Sequence, residues 1–178
     1  MIPRTYTEKY LAEFVYGAID GTVTTFAIVS GVVGANLSPS IVLVLGLANV
    51  FADGFSMASS NFLAERSEQA LHHGITPPTE VKAPFKTASI TFVSFVVVGF
   101  IPLLPFTLAF FIPALVPYQF MLSIVLTGLA FVGIGAVRGV VTKHRPIRSA
   151  FETLLVGGLA ALISFVVGYM LRGLVSGV

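Results

Sequence analysis

The residues of this chain best suited to chemistry are two aspartates and a methionine. Asp20 lies in "YGAIDGTVTTFAIVSGVVGA", and Asp53 with Met57 in "VLGLANVFADGFSMASSNFLAE". Each aspartate is followed by glycine, and Met57 stands one helical turn after Asp53. Carboxylates suit divalent ions such as Mn²⁺ and Fe²⁺, and a thioether biases a site toward the softer Fe²⁺ over Mg²⁺ or Ca²⁺. A carboxyl in apolar surroundings favours its neutral form, so it can hold a proton when no cation is bound. A group that takes either a divalent ion or protons is the minimum needed to exchange one for the other.

The elements that must position these residues are membrane helices. The chain is 56% hydrophobic and only 10% charged over 178 residues, with a mean hydropathy of +0.95; a soluble domain carries about 25% charged residues. Apolar stretches fall at roughly 11–35, 40–65, 85–105, 118–141 and 149–176, each long enough for the ~20 residues of a crossing helix. The spacing predicts an all-α membrane protein: a single transmembrane domain over 1–178, five helices per subunit, and a short cytosolic connection at 66–84. The period-2 alternation of a membrane barrel is missing from the sequence. Backbone groups in lipid find partners only inside helices or closed barrels. The first stretch does not read as a cleavable signal peptide, since it is long and holds Glu13 and Asp20. No cysteine is present, which excludes disulfides and thiolate metal sites. A net charge of +2 gives nucleic-acid binding no support.

Every Lys and Arg except Arg172 falls at one set of helix ends: Arg4 and Lys9, then Arg66, Lys82 and Lys86, then Arg138, Lys143, Arg145 and Arg148. The positive-inside rule therefore places the N-terminus in the cytosol and the C-terminus outside. The outer connections are uncharged, and the prolines of "IPLLPFTLAFFIPALVPY" break any continuous helix there. At 1.5 Å per residue, Asp20 lies roughly 14 Å from the inner end of its helix, Met57 about 12 Å and Asp53 about 18 Å. An ionisable group at that depth costs several kcal/mol and usually marks an ion or proton path. Asn49, Asp53, Met57, Asn61 and Glu65 recur every fourth residue along one side of the second helix. Glu13, Gly17, Asp20 and Thr24 share a face of the first. Asn49, Thr24 and Asn61 are thus candidates for the path. Glu13, Glu65 and Glu68 are candidates for its cytosolic mouth, with Glu13 and Glu65 expected to face each other. Gly17 and Gly21 form a pair that permits close helix approach.

Structural readings compete at several positions. Intramembrane Asn and Ser also act as helix–helix glue, and Asn49, Ser56 and Ser60 fit that role equally. Met57 taken alone reads as packing filler, and Glu65 with Glu68 equally as a solvated helix end. His72 and His73 read as a solvated loop before a metal trap. Glu152 pairs with Arg148 at i+4. Glycines 128, 133, 135 and 139 in the fourth stretch, and 157, 158 and 168 in the fifth, read as packing surfaces. A buried Asp could also be the structural partner of an Arg or Lys, but no basic residue lies mid-membrane in this sequence.

At "GAIDGTVTTFAIVSGVVGA" and "GLANVFADGFSMASSNFLAERSE" the sequence resembles the vacuolar iron transporter family, of the bacterial and nodulin-21-like type. The resemblance covers nearly the whole chain. It implies a five-helix subunit that pairs as a homodimer, with the ion path between the two copies and lined by the first two helices of each. It also implies export of Fe²⁺, and often Mn²⁺, from the cytosol in exchange for protons. Carried onto this chain, the family's aspartate is Asp20 and its methionine Met57. Two departures stand out. Vacuolar members have a glutamate eight residues before the methionine, where this chain has Asn49, so Asp53 is expected to supply the missing carboxylate one turn further in. Vacuolar members also insert a long glutamate-rich cytosolic domain where this chain has only the short 66–84 connection.

The expected partners are a second copy, the bilayer, a divalent metal and protons. No resident cofactor and no enzymatic activity are expected, the metal being cargo. Rival readings are a passive divalent-cation channel, an intramembrane aspartyl hydrolase using two carboxyls that share one proton, and a scaffold whose polar residues only join helices. The compact loops favour a bacterial cell membrane over an organelle.

Overall fold

The computed structural model describes residues 6–71 and 82–175, and every regular element among them is helical. The helices are α1 (Tyr6–Gly34), α2 (Pro39–Leu71), α3 (Pro84–Gly99), α4 (Leu104–Phe111), α5 (Gln119–Val141) and α6 (Pro146–Val175). Five segments are long and apolar enough to cross a membrane: Lys9–Gly34, Pro39–Leu71, Pro84–Phe111, Pro113–Val141 and Pro146–Leu174. The third joins α3, a 3₁₀ turn (Ile101–Leu103) and α4, and the fourth adds the 3₁₀ segment Pro113–Tyr118 to α5.

Two boundaries differ from the sequence expectation. α2 does not stop at residue 65 but runs to Leu71, so the connection expected at 66–84 begins later. The segment Glu65–Leu71 is polar yet rich in good helix formers. Hydropathy ends with the lipid, while the hydrogen-bond ladder continues into water. In the proline-rich stretch the helix does break, but it restarts at once. Pro102, Pro105 and Pro113 each sit in the first turn of a short helical segment, where the missing N–H is not needed. Ser123 on α5 donates to the Pro102 carbonyl at 2.7 Å and pins this bend.

Two turns fold by one device. After α1, Asn36 adopts φ 59°, and the Leu37 N–H donates to the Val32 carbonyl at 3.1 Å. After α5, Lys143 adopts φ 57°, and the His144 N–H donates to the Gly139 carbonyl at 2.9 Å. Each is a left-handed helix cap that reverses the chain before a proline opens the next helix. Asn tolerates this conformation well; Lys does so less readily.

α1 is the central helix, touching α2, α3, α5 and α6. Its approach to α3 is close enough that a Cβ on Gly99 would sit 2.9 Å from the Gly21 carbonyl oxygen. On its other side, a Cβ on Gly168 of α6 would overlap the Gly31 carbonyl. Phe26, Val29, Val42, Val50, Leu103 and Phe106 form the buried core where α1, α2 and α4 converge. Of the glycines expected to pack, Gly135 and Gly139 meet the start of α6 and Gly157 meets Phe131, but Gly133 and Gly158 have open space before them. A glycine in an apolar helix is thus not by itself a contact.

Candidate functional site

α1 and α2 are consecutive antiparallel helices, which lets one helix's ascent and the next one's descent bring their polar residues to one height. Asp20 and Asp53 come within electrostatic range of each other. Their surroundings differ. Asp20 is half-buried and opens onto a groove of about 560 Å³ whose other walls include Tyr16, Val23, Arg138 and Thr142. Asp53 is exposed on the flank of α2, and Met57, one turn nearer the Leu71 end, is half-buried.

The neighbouring polar residues divide by what they hold. The Thr24 hydroxyl donates to the Asp20 backbone carbonyl at 2.7 Å, so its proton is committed to its own helix. Asn61 donates from Nδ2 to Thr91 Oγ1 at 2.8 Å, and Thr91 donates onward to the Thr87 carbonyl at 3.0 Å. Asn61 therefore clasps α2 to α3, the joining role that the sequence reading had weighed for Asn49, Ser56 and Ser60. Asn49 is half-buried, and its amide nitrogen is buried without a hydrogen-bond partner among the described residues.

At the other end of the stripe, Glu13 is buried and its Oε1 pairs with Lys82 Nζ at 2.6 Å. Glu65 lies within electrostatic range of Lys82, Glu13 and Glu68, so the two glutamates expected to face each other share a cation. Glu68 is exposed. Lys82 is held further: its carbonyl accepts from Gln69 Nε2 at 2.6 Å, and the next residue's N–H donates to the Tyr10 hydroxyl at 3.3 Å. Sequence reasoning used Lys82 only as a topology marker. The pair spans 69 positions, and the one available signal was that both residues belong to the same membrane face.

Arg138, in the last turn of α5, lines the same groove as Asp20. Its guanidinium is bonded to Glu152 at 2.9 Å, and Glu152 also takes the predicted i+4 partner Arg148 at 3.1 Å. His72 and His73 lie outside the described residues. Among the described residues, no three His, Asp or Glu side chains gather as a metal site would need. Asp20 faces a groove walled in part by Arg138, Thr142 and Val156 of its own chain, while Asp53 is exposed on α2.

The sequence model of the VIT family matches residues 11–74 and 68–169. The chain is 26% identical to vacuolar iron transporter 1 of Arabidopsis thaliana over 226 positions, covering 90% of this chain and 88% of that protein. It is 26% identical to the vacuolar iron transporter of Plasmodium berghei, covering 93% and 83%. A shorter match to the Toxoplasma gondii vacuolar iron transporter reaches 44% identity over 63 residues, 35% of this chain and 21% of that protein. The Arabidopsis alignment is longer than this whole chain, so that relative has stretches this chain lacks. The relatives carry the names of transporters, not of enzymes. With the model matched from residue 11 to residue 169 and relatives aligned over nine-tenths of its length, the chain belongs to the VIT family.

Proposed function

We infer that the protein carries Fe²⁺ or Mn²⁺ out of the cytosol in exchange for protons, through a path between two copies of the chain. Asp53 is the observation that carries this reading: a carboxylate at membrane depth, exposed on the flank of α2 yet within electrostatic range of Asp20. Against lipid such a group is costly; against a second copy it is half of a site. Ala48, Ala52, Ser56, Ser60 and Ala64 add support. They recur every fourth residue on α2, and all are exposed, a stripe of small side chains of the kind that lets membrane helices pack closely. A twofold axis beside this stripe brings two copies each of Asp20, Asp53 and Met57 together.

The names of the relatives support iron as cargo. The basic residues support a cytosolic N-terminus, which makes Glu13, Glu65 and Glu68 the cytosolic mouth. With Asn49 neutral, Asp53 takes the place of the carboxylate expected higher on α2. The membrane is proposed to be a bacterial cell membrane. Uptake of Fe²⁺ and Mn²⁺ into proteoliposomes, with internal pH followed by a dye, tests the whole reading. Metal entry should drive proton exit. Flux indifferent to a pH gradient would make the protein a channel, metal-independent peptide cleavage would make it a hydrolase, and absence of metal binding would leave a scaffold.

A further inference from the structure

A second cavity, of about 500 Å³, lies between α2 and α3. Phe55 and Phe62 wall it from α2, Phe85 and Phe92 from α3, and Ser59 and Ser89 stand between them. At 100° per residue, Phe55, Ser59 and Phe62 lie roughly 180° to 240° round α2 from Asp53. The groove therefore opens on the side of α2 away from Asp53; Ser60 and Ala64 of the small-residue stripe lie at about 340° and 20°, away from it, whereas Ala48 and Ala52 lie above it on its own side.

We propose that this groove holds one anionic phospholipid of the cytosolic leaflet. Its layers match the layers of such a lipid. At the rim, the Arg66 guanidinium rests over the Phe62 ring, 5.8 Å from its centroid, an arrangement that fixes a cation while leaving its edge free to bind phosphate. Lys86 follows the groove residue Phe85 in the first turn of α3. Below the rim, Ser89 lies about 4.5 Å along α3 from Lys86 and Ser59 roughly 10 Å along α2 from Arg66, which is the level of glycerol ester oxygens. Deeper still, Phe55 and Phe92 leave an apolar slot for an acyl chain. Among the described residues, Glu65 lies within electrostatic range of Lys82, and Glu68 sits roughly 200° round the helix from Arg66. A second copy fits this side poorly, because bulky rings replace the small side chains that close helix packing needs. Anionic lipid is what the cytosolic leaflet supplies beside clustered Arg and Lys.

Native mass spectrometry of the detergent-purified full chain tests this, using phosphatidylglycerol and phosphatidylcholine with identical acyl chains. The wild type should retain phosphatidylglycerol about tenfold more tightly. Arg66→Gln with Lys86→Gln should abolish that preference, Arg66→Lys with Lys86→Arg should keep most of it, and Ser59→Phe should lose both lipids by filling the slot. Lys143→Gln with Arg145→Gln, at the distant α5–α6 turn, should change nothing. Equal retention of the two lipids by the wild type would overturn the proposal. So would an equal loss in the Lys143/Arg145 variant, or disulfide formation between copies through Ser59→Cys. Lipid retention is read without transport, so the outcome stands apart from that of the flux assay.

Discussion

Asp20 and Asp53 lie within electrostatic range of each other and differ in exposure: the first is set in a groove of its own chain, and the second is presented outward. Asp20→Asn and Asp53→Asn keep size and shape, so each should leave the melting temperature nearly unchanged. Each should lower metal flux in proteoliposomes by about tenfold or more, the equivalent of losing about 1.4 kcal/mol of binding at the site. Met57→Leu removes the soft donor while keeping the volume. It should reduce the advantage of Fe²⁺ over Mn²⁺ severalfold in a competition assay while Mn²⁺ flux persists. Metal ligands must be deprotonated to bind, so protons compete with the ion. Mn²⁺ affinity measured by calorimetry should therefore fall as pH is lowered from neutral, with protons released on binding, and should lose this dependence in the double aspartate variant.

Among the elements, α1 is fixed by close backbone contacts and α2 by few. Gly99→Val places a branched side chain against the backbone of Gly21. It should destabilise the protein by about 1–3 kcal/mol, seen as a lower melting temperature in detergent. Lys82→Met strands the buried Glu13 carboxylate. Removing one partner of a buried pair costs about 3–5 kcal/mol, less here because the Lys82 side chain is 28% exposed. Adding Glu13→Gln should restore most of the lost stability. Much of this architecture was legible in the sequence. Hydropathy gave five crossings, and the i+4 recurrence of Asn49, Asp53, Met57 and Asn61 gave a polar side of α2. Other parts were not, because they depend on contacts far apart in the chain. The partner of Glu13, the clasp between Asn61 and Thr91, and the presence of Arg138 beside Asp20's groove carry no local signature. The bond of the Thr24 hydroxyl to the Asp20 carbonyl is likewise a choice that the sequence leaves open, since in a helix such a hydroxyl can satisfy itself on the preceding turn.

For the whole molecule, the proposed pair must form along α2. The chain has no cysteine, so single cysteines report proximity cleanly. Ala52→Cys or Ser56→Cys should give disulfide-linked dimers in oxidised membranes, whereas Val97→Cys on α3 and Phe151→Cys on α6, both exposed, should remain monomeric on denaturing gels. Under the positive-inside rule, the one-sided distribution of Lys and Arg would insert both copies of the proposed pair the same way. The proposed twofold axis would then run along the membrane normal and set both copies of Asp53 at one depth.

That position of Asp53 has a genetic consequence. On the proposed arrangement, Asp53 completes its site only with its counterpart, which would make the pair, not the chain, the unit of inheritance. When Asp53→Asn is expressed beside an equal amount of wild type, only about a quarter of randomly assembled pairs keep both carboxylates. The altered allele should therefore be dominant: cells carrying both should lose far more than half of their metal tolerance.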